Sequence, residues 1–123
     1  MKIILTPIMA IAAIYLLLPE NNVLTNTKWK GTLYIPDSTE VSMEFKVDTL
    51  FAYSPAELLE TNSFKVKGDT LIMQKISGMS DCDTSEAKYH YTIVDNVLKI
   101  NTLADNCQSR AAAFSGQGYH KIQ

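Results

Sequence analysis

Cys82 and Cys107 are the only cysteines in this 123-residue chain. In an exported domain an even cysteine count predicts one disulfide, and two unpaired thiols are the alternative. A bridge would close a loop of about 25 residues and contribute about 3.5 kcal/mol by a chain-entropy argument. The cysteines form no Cys-x-x-Cys pair and no paired histidines complete a zinc ligand set, so the sequence predicts no metal site.

His90 and His120 could each act as a general base. No nucleophile motif accompanies them, because Ser115–Gly118 precedes a predicted strand, whereas a nucleophile elbow follows one. Asp81–Asp83 carries two carboxylates but falls far short of a calcium loop, and no glycine-rich loop could cradle a phosphate. These features predict solvent-facing histidines, a surface acidic turn, and a protein that is not an enzyme and uses no cofactor.

Aromatic side chains on predicted strands are the remaining candidates for a site. In a small barrel such side chains either fill the interior or line a cavity for one small ligand. Buried tyrosines need hydrogen-bond partners, which a polar cavity would provide. The sequence leaves both outcomes open for Phe45, Phe51, Tyr53, Phe64, Tyr89 and Tyr91.

Short alternating runs must position these side chains. Residues 41–48 alternate strictly, which is typical of a half-buried antiparallel strand. The side chains predicted to face inward from this run are Val41, Met43, Phe45 and Val47.

Turn signals separate the runs. Gly68-Asp69 and Asp95-Asn96 each predict a two-residue hairpin turn. Residues 36–40 and 54–63 are the longest predicted loops, the second opening with a possible helical turn at Ser54–Glu57. The predicted strands span residues 29–35, 41–48, 50–53, 64–67, 70–77, 86–94, 97–103 and 118–122.

One segment near the end of the chain is different. In Asp105–Ser115 the aspartate can cap a helix, the three consecutive alanines favour it, and Gly116 can end it. About eight strands with one short helix before the last predict an all-β fold. We expect a small antiparallel up-and-down barrel.

Residues 1–22 read as a separate unit. Met1-Lys2 is followed by the uncharged run Ile3–Leu18 and then by Pro19, which is the layout of an export signal peptide. An uncleaved signal-anchor is the alternative, although a helix over this run would span only about 24 Å of a ~30 Å hydrocarbon core. A buried soluble helix is a third interpretation, disfavoured by Pro7 inside the run. Residues 23–123 then form a single domain, placed in the periplasm, in the cell envelope or outside the cell.

The charge balance excludes two classes of partner. With 11 basic and 13 acidic residues the net charge is −2, so the chain lacks the basic footprint of a nucleic-acid-binding protein. Lysines form no cluster that could bind a membrane surface. Any contact with a membrane would therefore be made by residues 1–22, if they are retained.

Two regions together resemble small bacterial lipocalin-like domains. Leu24–Gly31 is similar to the opening of that family, with Trp29 on the first strand. The run Asp105-x-Cys107-x-x-Arg110, then a short helix, a glycine and an aromatic last strand, resembles its C-terminal part. The resemblance covers about residues 24–122. The chain departs from the family at Asn26, where a glycine is usual, and at Tyr119, where a tryptophan is usual.

A second family shares other features of the chain. Phe64–Leu71, followed by Ile76–Cys82 and the strand that contains Tyr89, resembles part of the META domain of exported bacterial proteins. That domain has no reason to carry Asp105-x-Cys107-x-x-Arg110, so the lipocalin-like resemblance is the stronger.

The lipocalin-like resemblance carries expectations about structure and function. It implies that Trp29 packs beneath a basic side chain, with Arg110 as the first candidate and Lys121 as the alternative, so that Arg110 is structural. It also implies a non-enzymatic protein that binds a small hydrophobic or amphipathic ligand inside the barrel. The alternative is a protein-binding module, such as an inhibitor of an envelope hydrolase that acts through the barrel loops.

Overall fold

The computed structural model describes residues 23–33, 38–115 and 118–123, so the predicted signal segment 1–22 lies outside the described residues. Within these residues one helix, α1, spans Gln108–Phe114. The strands are β1 Thr27–Leu33, β2 Thr39–Phe45, β3 Thr49–Tyr53, β4 Leu58–Lys67, β5 Thr70–Gly78, β6 Glu86–Val94, β7 Val97–Ala104 and β8 Gly118–Lys121.

The eight strands form a closed barrel in which every neighbouring pair is antiparallel. The first and last strands complete the ring by pairing Trp29 with Lys121 and Lys30 with His120. The predicted all-β up-and-down barrel, with its short helix before the last strand, is confirmed. Within the described residues, no helix has the length and hydropathy needed to cross a membrane.

Positive backbone angles occur where the sequence predicts tight turns. Asp95 and Asn96 have φ of 53° and 61°, as a type I′ hairpin turn requires, and Gly68 has φ of 60°. Asn26 also has a φ of 60°. This left-handed conformation explains why the position suits glycine or asparagine, because asparagine tolerates it better than most residues do.

Two predicted boundaries are wrong. Residues 58–63 are strand, not loop, because β4 begins at Leu58 and pairs with both β3 and β5. A bulge between Thr61 and Asn62 interrupts the alternation there and hides the strand pattern. Val47 lies beyond the end of β2 and is 66% exposed, so only the first three of the four predicted inward residues of that run are buried.

The two ends of the barrel differ in how they are filled. We call the end with the turns at 46–48, 68–69 and 95–96 the turn end, and the end that carries α1 the helix end. Aromatic side chains pack the turn end, where the rings of Phe45 and Phe64 meet edge to face at 5.0 Å. Trp29 is buried beside them in the same core cluster.

Candidate functional site

A cavity of about 470 Å³ occupies the helix end of the barrel. This volume falls within the range of small-molecule sites. The lining side chains come from β2, β3, β4, β8, the loop between β5 and β6, and α1: Val41, Met43, Leu50, Ala52, Leu59, Glu60, Asn62, Ser80, Cys82, Ser109, Arg110, Ala112, Ala113, Phe114 and Tyr119.

Strand periodicity places the deep wall of the cavity. Alternate residues of a strand point to the same face, so Val41 and Met43 of β2 lie inward together, as do Leu50 and Ala52 of β3. Met43 and Leu50 are fully buried, whereas Ala112 on α1 is exposed and lines the same cavity. The cavity therefore reaches from the interior of the barrel to the surface beside the helix.

A disulfide joins two parts of the cavity wall. Cys82 lies in the loop between β5 and β6, and Cys107 is the N-cap residue immediately before α1. Their Cα atoms are 5.4 Å apart and their sulfurs are bonded, which confirms the predicted pair. The bridge fixes the position of the helix over the barrel, because α1 has only seven residues and such a short helix depends on tertiary contacts.

Polar contacts hold the same loop from the other side. The Ser80 hydroxyl donates to Glu60 Oε1 at 2.7 Å, and the Lys75 ammonium donates to the Ser80 carbonyl at 2.7 Å. Lys75 Nζ also lies 3.7 Å from Glu60 Oε1, and both side chains are largely buried. The Glu60 carboxylate at the cavity wall is therefore paired with a cation and a hydroxyl.

A buried ion pair fixes the orientation of Arg110. Its Nε donates to Asp105 Oδ2 and its Nη2 to Asp105 Oδ1, each at 2.8 Å. The two side chains are 5% and 0% exposed. Asp105 also accepts bonds from the Tyr89 hydroxyl and, at 2.8 Å, from the Cys107 N–H. Arg110 is thus held by a carboxylate, whereas the resemblance implied packing on an indole.

The predicted packing of Arg110 over Trp29 does not occur. Trp29 lies at the turn end, where its indole N–H donates to Thr27 Oγ1 at 2.8 Å, and its partner Lys121 bonds to the 95–96 turn. Arg110 lies at the helix end. A carboxylate five residues before Arg110 offers a bidentate, charge-assisted partner, which outcompetes an indole face.

Among the described residues, two buried side-chain polar atoms have no hydrogen-bond partner. They are Arg110 Nη1 and Asn62 Oδ1. Asn62 is 2% exposed and Arg110 is 6% exposed, and both residues line the cavity. Buried polar groups are nearly always paired, but both of these atoms are enclosed by protein, so neither is open to the cavity.

None of the six predicted ligand-contacting aromatics lines the cavity. Phe45, Phe64, Tyr89 and Tyr91 are buried in the core. The rings of Phe51 and Tyr53 lie 6.4 Å apart on the opposite face of β3 from the cavity. Four of the six therefore fill the interior, which is one of the two outcomes that the sequence left open, and their contact with a ligand stays a prediction.

The two histidines and the two carboxylates of the acidic turn, which the sequence raised as candidates for catalysis or metal binding, do not line the cavity. His90 Nε2 lies 3.0 Å from Asp69 Oδ2 at the turn end, and His120 is exposed on β8. Asp81 lies within 4.8 Å of both cysteine sulfurs. Those sulfurs are bonded to each other and offer no thiolate, so this group does not make a zinc site.

The ion pair makes stability depend on pH. Burial acts to raise the pKa of Asp105, but the bonds from Arg110, Tyr89 and the Cys107 N–H outweigh burial and lower that pKa below its usual 3.8. A carboxyl group whose pKa is lowered by folding contributes its full stabilisation at pH values above its unfolded-state pKa. That contribution is lost as the pH falls through its folded-state pKa. We expect the free energy of unfolding to fall steeply below about pH 4, in urea titrations across the acid range. The acid loss should be smaller in Asp105→Asn, and equal losses in both proteins would contradict the assignment.

No protein-family model, curated protein or solved structure matches this chain.

Proposed function

We propose that this protein binds one small apolar or amphipathic molecule in the cavity at the helix end. The observation that carries the proposal is the 470 Å³ cavity with largely apolar walls, which reaches the surface beside α1.

Packing arguments support a ligand over a void. Protein interiors reach the density of organic crystals and leave few spaces larger than a water molecule. The turn end of this barrel is filled in that way, while the helix end is open around Met43, Leu50 and Ala52. A ligand with an apolar body would fill this space and gain hydrophobic free energy by removing its own apolar surface from water.

We propose binding without catalysis, because titratable groups at the cavity are paired with one another. Arg110 is bonded to Asp105, which also accepts from Tyr89. Glu60 is held by Ser80 and Lys75. Protein donors occupy both carboxylate oxygens of Asp105 and of Glu60, which leaves neither group placed to take a proton from a substrate.

The compartment proposed is the periplasm, the cell envelope or the extracellular space. The disulfide supports it, because such bonds persist in oxidising environments. Residues 1–22 would direct export as a signal peptide or hold the barrel at the membrane as an anchor.

A protein partner is the second candidate. The observation in its favour is a group of exposed apolar side chains at the helix end, where Leu58, Ile76 and Met79 are 45%, 58% and 69% exposed. Such a group suits a docking surface on the barrel loops, for example against an envelope hydrolase. Charged substitutions at these three positions would abolish partner binding and leave the cavity intact.

Filling the cavity tests the first proposal. We expect the neutral dye 1-aminoanthracene to bind the native protein, and Ala52→Trp to weaken binding at least tenfold by occupying the cavity. Phe51→Trp is the matched control, because it adds an indole at the neighbouring position on the outer face of β3. The fluorescence emission of the dye, excited at a wavelength longer than tryptophan absorbs, measures the affinity of each variant. Equal dye binding by both variants would contradict a ligand in the cavity.

A further inference from the structure

We propose that the turn end of the barrel rests on a lipid bilayer that contains anionic lipid, so that the mouth of the cavity faces away from the membrane. The inference goes beyond the proposed function and does not depend on what the cavity binds. Three features carry it: exposed apolar side chains at the turn end, the charges around them, and the point at which residues 1–22 join the barrel.

Exposed aliphatic side chains lie at the tips of the turn end. Val47 lies in the turn between β2 and β3, and Val94 ends β6 beside the 95–96 turn. Ile122 follows β8, where its N–H donates to the Lys28 carbonyl of β1 at 2.9 Å. All three are more than half exposed, and the strands that carry them lie on one continuous arc of the ring, from β6 through β8 and β1 to β3. Such side chains gain free energy by leaving water for the interfacial region of a bilayer.

The chain enters the barrel at this same end. Thr27 begins β1 and pairs with Phe45, next to the 46–48 turn. The carbonyl of the fully buried Leu24 accepts a bond from the Thr27 hydroxyl, and Val23 before it is exposed. The apolar run Ile3–Leu18 ends five residue steps before Val23, a reach of at most about 18 Å. A membrane that holds this run would therefore lie beside the turn end.

The exposed charges at the turn end favour a negative surface. The sequence shows no run of lysines, but the fold brings five exposed ones to this end, against three exposed carboxylates. They are Lys46, Lys65, Lys67, Lys99 and Lys121, against Asp48, Asp69 and Asp95. Lysine stems can bury beside the apolar tips while their ammonium groups stay among the lipid head groups.

The opposite end has apolar side chains too, but the reverse charge. Four exposed carboxylates, Glu57, Asp81, Asp83 and Glu86, lie at the helix end. Lys88 is exposed there as well, and the exposed Lys30 is paired with Glu40 at 3.1 Å. An anionic bilayer therefore attracts the turn end and repels the helix end, within the short range that physiological salt allows.

Two isoleucines give a matched comparison, because Ile122 at the turn end and Ile76 at the helix end are 52% and 58% exposed. The full-length protein is labelled with ¹³C at the isoleucine δ1 methyls and reconstituted in nanodiscs of phosphatidylcholine and phosphatidylglycerol that carry a head-group nitroxide. We expect the nitroxide to reduce the Ile122 signal at least threefold more than the Ile76 signal, relative to the same sample after ascorbate has reduced the nitroxide. A larger loss at Ile76, equal signals at both positions, or a protein that does not associate with the discs would overturn the proposal.

Charged substitutions test whether the barrel itself makes the contact. Val47→Glu combined with Val94→Glu should abolish the difference between the two isoleucines, whereas Leu58→Glu combined with Met79→Glu at the helix end should preserve it. A difference that persists in a folded Val47→Glu, Val94→Glu variant would overturn the role of these turns, with circular dichroism as the check of folding. If this variant does not fold, the isoleucine comparison in native protein decides alone.

The outcomes separate this inference from the proposed function. Equal isoleucine signals in a protein that binds 1-aminoanthracene would defeat the membrane contact and leave the cavity ligand standing. A larger loss at Ile122 in a protein that binds no dye would do the opposite.

Discussion

Replacing Asp105 by Asn is expected to destabilise the barrel by about 3–5 kcal/mol, because it leaves a buried guanidinium without its counter-charge. Asp105 accepts from Arg110 twice, from Tyr89 and from the Cys107 N–H. An asparagine keeps one acceptor and places an NH₂ group against the guanidinium. Equilibrium unfolding in guanidinium chloride, followed by circular dichroism, measures the loss.

A matched control and a double variant separate the ion pair from general effects of substitution. Asp83 is exposed and accepts from the Ser85 N–H at 2.9 Å, a bond that asparagine can also accept, so Asp83→Asn should change stability by less than about 0.5 kcal/mol. Asp105→Leu combined with Arg110→Met should cost less than Asp105→Asn alone, since replacing both partners leaves no buried charge. A loss below about 1 kcal/mol for Asp105→Asn would show that the pair does not hold the helix end together.

Removing the disulfide is the second change with a large expected effect. The bridge closes a segment with a sequence separation of 25. Chain-entropy arguments value such a closure at about 3.5 kcal/mol, so Cys82→Ala combined with Cys107→Ala should lower the free energy of unfolding by about 3 kcal/mol. The loss should be accompanied by weaker dye binding, because the bridge joins the loop and the helix that line the cavity.

A reductant supplies the internal control for this variant. Reducing the native protein should bring its stability down to that of the double alanine variant, and the reductant should leave the variant unchanged. Equal stability of the oxidised native protein and the variant would contradict a structural role for the bridge.

The barrel could be predicted from the sequence because its signals are local. Residues 86–94 alternate cleanly and form β6 with the predicted bounds. The Asp95-Asn96 turn adopts the backbone angles that its residue types favour. The disulfide followed from an even cysteine count in an exported context.

The cavity could not be predicted from the sequence, because its wall depends on which face of each strand points inward and on polar residues that face the interior. Every residue from Leu50 to Tyr53 is apolar, so alternation cannot tell which face of β3 is buried. Asn62 lies inside the barrel on a strand that a bulge disrupts, and apolar periodicity does not mark such a residue. One signal was present in the sequence: Asp105 is a potential counter-ion next to the predicted helix that carries the only arginine of the chain. The predicted cap at Asp105 is wrong, because Cys107 is the N-cap residue of α1.

Methionine methyl groups can locate a ligand bound inside the barrel. Among the described residues, Met43 lines the cavity, Met73 is buried in the filled core, and Met79 is exposed at the helix end. In protein labelled with ¹³C at the methionine methyls and saturated with 1-decanol, we predict intermolecular nuclear Overhauser effects from the decyl chain to Met43 and none to Met73. Contacts to Met79 alone, or to no methionine, would contradict a ligand inside the barrel.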